Sequence, residues 1–292
     1  MRLIEFSVTP EWDGKMVKTL LARWGISLTL LRSLKQIRGA LTLNVDLLHE
    51  GDTVRLVLHA DEKTALPGGF EVPVPYRDDD VVVLNKPAGI PVHPVHDYRL
   101  NTLANAYAQM LRKEGEEGAF RPIFRLDRNT SGLVVAARHS YAASRLAKRV
   151  EKEYIAICRG CIKRAGVVDA PLRVKEGFGI TREVGKGGKN AVTHYWPIAL
   201  SQEHTLLLLR LETGRTHQIR AHMAYLGYPL AGDNMYGPED PELARHALHC
   251  ARVCFEQPVT GERIVVHAAL PKDLQDFMHR HGLDRFSFTD AK

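Results

Sequence analysis

No stretch of the 292 residues approaches the roughly 18 consecutive apolar side chains needed to cross a bilayer, although 45% of the residues are hydrophobic. The N-terminal residues Met1-Arg2-Leu3-Ile4-Glu5 also lack the pattern of a secretory signal. A cytoplasmic protein is expected from these two absences, and its four cysteines are then expected to be reduced thiols. Low-complexity segments and internal repeats are missing too, which sets aside fibrous and solenoid architectures. Acidic residues are missing from Lys15 to Arg38, where Lys15, Lys18, Arg23, Arg32, Lys35 and Arg38 stand alone. With a net charge of +6, the chain is expected to meet a polyanion.

The cysteines fall as Cys158-Arg-Gly-Cys161 and Cys250-Ala-Arg-Val-Cys254, which in number and spacing could supply four zinc thiolates. Both pairs lie in apolar, β-branched stretches, 154–162 and 248–255, where alternation turns neighbouring side chains to opposite faces. No metal is therefore expected. His217 and His222 are five residues apart with no Glu between them, so the helical zinc-protease pattern fails. His217 reads as a pocket-edge or helix-start residue, and His222 as packing or solvent facing.

What is present is concentrated in four blocks. Phe124-Arg125-Leu126-Asp127-Arg128-Asn129-Thr130-Ser131-Gly132-Leu133 places one carboxylate between two arginines. Flanking guanidiniums favour the charged form, the state a nucleophile needs. Alone, the segment reads equally as an ordinary ion pair in a polar turn. Upstream, Val81 to Asn85 is a β-branched run that feeds the turn Lys86-Pro87-Ala88-Gly89-Ile90-Pro91. Downstream come Lys152-Glu153-Tyr154-Ile155-Ala156, then Gly214-Arg215-Thr216-His217-Gln218-Ile219-Arg220, followed by Leu230-Ala231-Gly232-Asp233.

In this order and spacing the blocks resemble the RluA-type pseudouridine synthases over about residues 75 to 271. The resemblance implies an isomerase that breaks the bond between N1 of uracil and C1′ of ribose in RNA and rejoins the base through C5. It implies Asp127 as catalytic nucleophile, Arg220 as its charge partner, and Tyr154 as the ring that stacks on the base and removes the C5 proton. Arg125 matches the arginine associated with nucleotide flipping. Arg128, Thr130 and Ile219, beside these residues in the same blocks, are further candidate substrate contacts. The family's usual His before Arg125 is Phe124 here.

The chemistry suits these residue types. Isomerising a glycosidic bond transfers no electrons and consumes no water, so no cofactor is expected. Asp127 could attack C1′, add to C6, or act at the 2′ position, and all three routes remain open. A base within folded RNA must be extruded at a cost of a few kcal/mol, and aromatic stacking returns roughly 1 to 3 kcal/mol.

The expected fold is α+β with a mixed, largely antiparallel sheet. Helices are expected near Thr102 to Lys113, Ser140 to Val150 and Thr216 to Leu226, and strands near 81–85, 133–137, 153–159, 191–196, 205–211, 248–255 and 263–268. Before this catalytic domain, 77–292, residues 1–65 resemble a degenerate S4-like RNA-binding module. Its helices would run from Lys15 to Trp24 and from Ser27 to Arg38, and its strands from Ala40 to Val45 and Thr53 to His59. Residues 66–76, rich in Pro and Gly, read as a linker. Gly177 to Asn190 reads as a basic loop that tracks phosphates or as a solvated hairpin tip. Ribosomal or transfer RNA is the expected partner of a monomeric enzyme. A non-catalytic RNA-binding protein and a glycoside hydrolase are the alternatives, and the second would need another carboxylate.

Overall fold

The computed structural model of the chain describes residues 2–23, 26, 47–58, 65–94 and 99–284. Along them run β1 (Arg2–Ser7), α1 (Val17–Arg23), β2 (Thr53–Leu58), β3 (Tyr76–Arg77), β4 (Val81–Lys86), α2 (Leu103–Glu114), β5 (Arg121–Pro122), β6 (Ser131–Ala137) and α3 (Ser140–Leu146). There follow β7 (Glu151–Arg159), β8 (Gly166–Asp169), β9 (Leu172–Val174), β10 (Arg182–Val184), β11 (Val192–Leu200), β12 (His204–Leu211), α4 (Gln218–Tyr225), β13 (Leu248–Glu256), β14 (Arg263–His267) and α5 (Lys272–Arg280). The architecture is α+β.

β1 and β2 pair antiparallel, and α1 turns Val17, Leu20 and Leu21 toward them at the three-and-four spacing of one helix face. With Ile4, Val8, Ile26, Leu48 and Val54 these side chains form a core of their own. Tyr141 of α3 closes that core, its ring edge-on to Phe6 at 6.1 Å. The expected helix Ser27 to Arg38 and strand Ala40 to Val45 lie outside the described residues. Residues 66–74 run extended against α2, pinned by the bond from Asn105 Nδ2 to the Leu66 carbonyl and by Gly68 N–H to the Asn105 carbonyl.

Among the described residues the main sheet has ten strands, with β3-β4-β6-β13-β7-β12-β11-β8 as its path, β14 beside β13 and β5 beside β6. All its pairings are antiparallel except β6 with β13. Val81 to Leu84 and Leu133 to Ala137 are buried on both strand faces, which explains their unbroken apolar runs. α2 covers one face with Leu103, Ala104, Tyr107 and Leu111; Thr102 caps its start and left-handed Gly115 its end. α5 covers the other with Leu274, Phe277 and Met278 against Ile155, Ile157 and Leu206. Nothing in the sequence reading marked α5 or the short strands β8 to β10. α3 ends at Leu146, not at Val150, because Lys148 turns to a left-handed φ of 62° that no helix continues.

The parallel pair positions the site. Ser131 lies opposite His249 and Gly132 opposite Cys250, so β6 and β13 begin at the same end of the sheet. The loops that precede them, 123–130 and 243–247, are therefore neighbours. β7 pairs with β13 and places Tyr154 opposite Cys250.

Gly132 permits this approach. Its φ is +113°, and a Cβ there would run into the backbone carbonyl oxygen of Cys250. Gly132→Ala is expected to destabilise the protein by about 2 to 4 kcal/mol through backbone strain and overpacking. Urea unfolding of the variant measures this, and an unchanged midpoint would refute the close-packed pairing.

Candidate active site

Asp127 sits in the loop that enters β6, and neighbours hold that loop through its carbonyls. Lys86 Nζ donates to the carbonyl of Arg128 at 2.9 Å and also to those of Pro87 and Ile90. Gly89 N–H donates to the same Arg128 carbonyl, and Arg245 Nη1 to that of Asn129. Thr130 N–H closes a turn onto the Asp127 carbonyl at 3.1 Å. Lys86 is fully buried; desolvation pulls its pKa down to about 7 against the attraction of Asp127.

Arg220, in the first turn of α4, faces two carboxylates. Its Nε and Nη2 donate to Asp233 Oδ2 and Oδ1 at 2.7 and 2.8 Å, a two-pronged pair. The remaining Nη1 reaches Asp127 Oδ2 at 3.3 Å. Burial works against the Arg220 charge, but the bonds and charges of Asp233 and Asp127 outweigh it and raise its pKa. The guanidinium lies over the Tyr236 ring at 5.0 Å. Arg125 and Arg128, which flank Asp127 in the sequence, are exposed.

His217 precedes α4 with a left-handed φ of 56°, a conformation a histidine adopts only when its surroundings impose it. Its Nε2 is 3.9 Å from Asp127 Oδ2 and its Nδ1 is 3.1 Å from the Tyr236 hydroxyl. That hydroxyl accepts from the Arg182 N–H at 2.7 Å, which ties β10 to the site. Burial chiefly, with the charges of Arg220 and Arg182, lowers the His217 pKa despite Asp127. A cavity of about 620 Å³ opens here, lined by Asp127, Asn129, Ile180, His217, Arg220 and His246, a size suited to a small ligand. Another cavity, of about 490 Å³, lies between Arg145, Arg149, Cys254 and Arg263 at the far end of β13, away from every motif block.

Tyr154 is buried in the main core on β7. Burial, then the neighbouring Cys250 thiol and Asp127, push its pKa well above the ordinary phenol value, so at neutral pH it is a phenol. Thr130 is buried, with its hydroxyl 2.8 Å from His246 Nε2, and Ile219 is buried in the main core. His222 is packed inside, between Thr193 Oγ1 at 2.9 Å and the Ala170 carbonyl at 3.0 Å. Among the described residues no group of three or more His, Cys, Asp or Glu is arranged to hold a metal, and no helix is long and apolar enough to cross a membrane.

Residues 80–225 match the family model described as RNA pseudouridylate synthase. The chain belongs to the RNA pseudouridine synthase family. It is similar to the uncharacterized RNA pseudouridine synthase YhcT of Bacillus subtilis, 38% identical over 243 residues, which are 80% of this chain and 80% of that protein. It is also similar to the ribosomal large subunit pseudouridine synthase D of Vibrio cholerae, 39% identical over 218 residues, 68% and 67% of the two chains. Among solved structures, human RNA pseudouridylate synthase domain containing 1 matches with a TM-score of 0.57 and 26% identity, over 69% of this chain and 84% of that one. The RluA-type resemblance is correct, and the protein is an isomerase that acts on RNA.

Asp233, Lys86, His246 and Tyr236 were not given roles in reading the synthase sequence. Asp233 had a signal, a lone carboxylate at the end of the block that follows Arg220, but nothing in the spacing said that it would take two of the arginine's donors. His246 carried none, since only the parallel pairing brings its loop to Asp127.

Two outcomes test these contacts. Asp233→Asn leaves Arg220 buried with half its compensation gone, and breaking such a pair costs about 3 to 5 kcal/mol. Denaturant unfolding should show that loss, together with impaired pseudouridine formation; an unchanged midpoint would mean that Asp233 does not hold the arginine. Burial, then nearby arginine charge, lowers the His246 pKa to about 2, and burial lowers that of His249 to about 4. Both lie below the ordinary value of about 6.5, so the unfolded chain takes up protons that the native synthase refuses. Stability should fall as pH drops from about 6.5 toward 4, by up to about 1.4 kcal/mol per pH unit for each histidine. His249→Gln should make the fall shallower, and a slope identical to that of the parent in urea titrations at several pH values would exclude the assignment.

Proposed function

We propose that Asp127 is the catalytic nucleophile of this synthase and that Arg220 is its fixed charge partner. The observation that carries this is the division of one buried guanidinium: two donors to Asp233, the third to Asp127 at 3.3 Å. An arginine locked by one carboxylate cannot swing away, so Asp127 meets a preorganised charge at the cavity wall. The net reaction cleaves the N1–C1′ bond, forms C5–C1′, removes the proton from C5 and leaves one on N1. Asp127 acts on the ribose or the base during this exchange, and no water or electron enters.

Tyr154 lies close enough to Asp127 for the carboxylate to raise its pKa, which supports a place for its ring beneath the uracil. As a phenol it stacks on the base directly, and it accepts the C5 proton only by passing its own proton on in the same step. To Arg125 and Arg128 we assign the phosphates of the strand around the extruded nucleotide, a role that their exposure on the Asp127 loop supports. Thr130 and Ile219, both buried, act through their neighbours: the Thr130 hydroxyl meets His246 Nε2, and Ile219 packs in the first turn of α4. Residues 1–65 serve as an S4-like RNA-binding module followed by the connecting segment 66–76 and the catalytic domain 77–292. The separate core around α1 and the basic Lys15, Lys18 and Arg23 support that division.

The substrate we propose is large-subunit ribosomal RNA, modified in the cytoplasm by a monomer; the named activity of the Vibrio cholerae relative supports it. Pseudouridine mapping of total RNA from cells with and without the protein identifies the site. Asp127→Asn should abolish formation there while RNA binding persists, because the amide keeps the shape and loses the nucleophile. Turnover by the Asn variant at a tenth of the parent rate or more would overturn the assignment.

A further inference from the structure

The segment between β9 and β10 shows water an apolar surface that the fold does not use. Phe178 is 60% exposed and Ile180 63%, and Val174 at 53% and Met235 at 39% are exposed as well. Ile180 and Met235 line the cavity that holds Asp127, so this surface borders the place where the uridine enters.

Its conformation is built in. Lys175 N–H donates to the Thr181 carbonyl at 2.9 Å, Phe178 N–H to the Lys175 carbonyl at 3.1 Å, and Thr181 N–H to the Phe178 carbonyl at 3.0 Å. Gly177 and Gly179 take left-handed φ values of 76° and 56° on either side of Phe178, which folds the turn tightly enough to thrust that ring outward. Arg182 anchors the base of the turn: its N–H bonds the Tyr236 hydroxyl, and its Nη1 donates to the Ile180 carbonyl at 3.0 Å. The turn is thus tied to the same Tyr236 that touches His217 and Arg220.

The charges around it name the occupant. Arg173, Lys175, Arg182, Lys186 and Lys189 stand against Glu176 and Glu183 between positions 173 and 189, and Glu183 is taken by Arg173 at 2.9 Å. The Lys175 ammonium sits 4.5 Å above the Phe178 ring. An exposed aromatic ring amid an excess of cations suits a nucleobase on a phosphate chain: the ring takes the base and the lysines take the backbone. Extruding a nucleotide leaves its neighbour without a stacking partner, at a cost of a few kcal/mol.

We propose that the 177–180 turn is a second nucleotide site, in which Phe178, supported by Ile180, stacks on the base adjacent to the uridine held at Asp127. The inference rests on the assignment of the chain as an RNA pseudouridine synthase. Phe178 gives that adjacent base a stacking partner while the isomerisation proceeds.

The test uses the full-length protein and total RNA from cells deleted for its gene. Parent and Phe178→Ala, Phe178→Leu and Phe178→Trp variants are compared for kcat/KM of pseudouridine formation at the mapped position. Stacking predicts a fall of about 5- to 100-fold for Ala, no recovery with Leu, and recovery to within about threefold with Trp. Melting temperatures should not change, since the ring is exposed. A photo-crosslinking benzoylphenylalanine in place of Phe178 should attach to RNA within about two nucleotides of the modified uridine, the reach of one stacked neighbour. Full activity of the Ala variant, equal rescue by Leu, or crosslinks scattered along the RNA or onto protein would overturn the site while leaving the enzyme assignment intact. Absence of pseudouridine with the parent protein would instead overturn the enzyme assignment, and the inference with it.

Discussion

One guanidinium, that of Arg220, is divided between two carboxylates, and the candidate site is arranged around this division. Asp233 takes two donors in the buried interior, and Asp127 receives the third at the cavity wall. An arginine this deeply buried is tolerated only because its charge is matched at hydrogen-bond distance. The interior pair fixes the guanidinium plane, and that plane fixes where the third N–H points. The geometry of the candidate site is thereby inherited from a structural ion pair.

The remaining parts serve to bring Asp127 to that N–H. Its loop hangs by its carbonyls from Lys86, Gly89 and Arg245, three donors contributed by segments on either side. The parallel register of β6 with β13 sets the loop beside 243–247, and the absence of a side chain at Gly132 lets the strands meet. Desolvating Lys86, His246 and His249 costs stability that a purely apolar core would keep. The polar contacts of Lys86 and His246 hold the Asp127 loop in one arrangement.

The same arrangement separates this chemistry from glycoside hydrolysis. A hydrolase needs a second carboxyl group free to exchange protons or activate water. Asp233 is the carboxylate nearest in kind, but both its oxygens are bonded to Arg220 and its side chain is sealed from solvent. It works as a brace for the arginine. Among the described residues the site therefore holds one available carboxylate, that of Asp127, with a buried phenol and the two histidines His217 and His246 near it, a set that matches transfer of a base within one nucleotide.

Asp127, Arg220 and Tyr154 were legible in the sequence because each sits inside a short block whose residue order is distinctive. The long apolar strands β4, β6, β7, β12 and β13 were legible because burial on both faces leaves unbroken hydrophobic runs. The short strands β8 to β10 carry too few residues to show a period, and α5 follows its amphipathic pattern for little more than two turns. Arg125 and Arg128 are Asp127's nearest cations in the sequence, yet the contact at 3.3 Å comes from Arg220, 93 residues away. Arg220 reaches Asp127 from α4, the helix that follows β12, a segment that only the folded sheet brings to the Asp127 loop. The sequence by itself determined the family and the class of chemistry; only the tertiary structure decided which charges reach Asp127, because ion pairing depends on distances that strand order and register set.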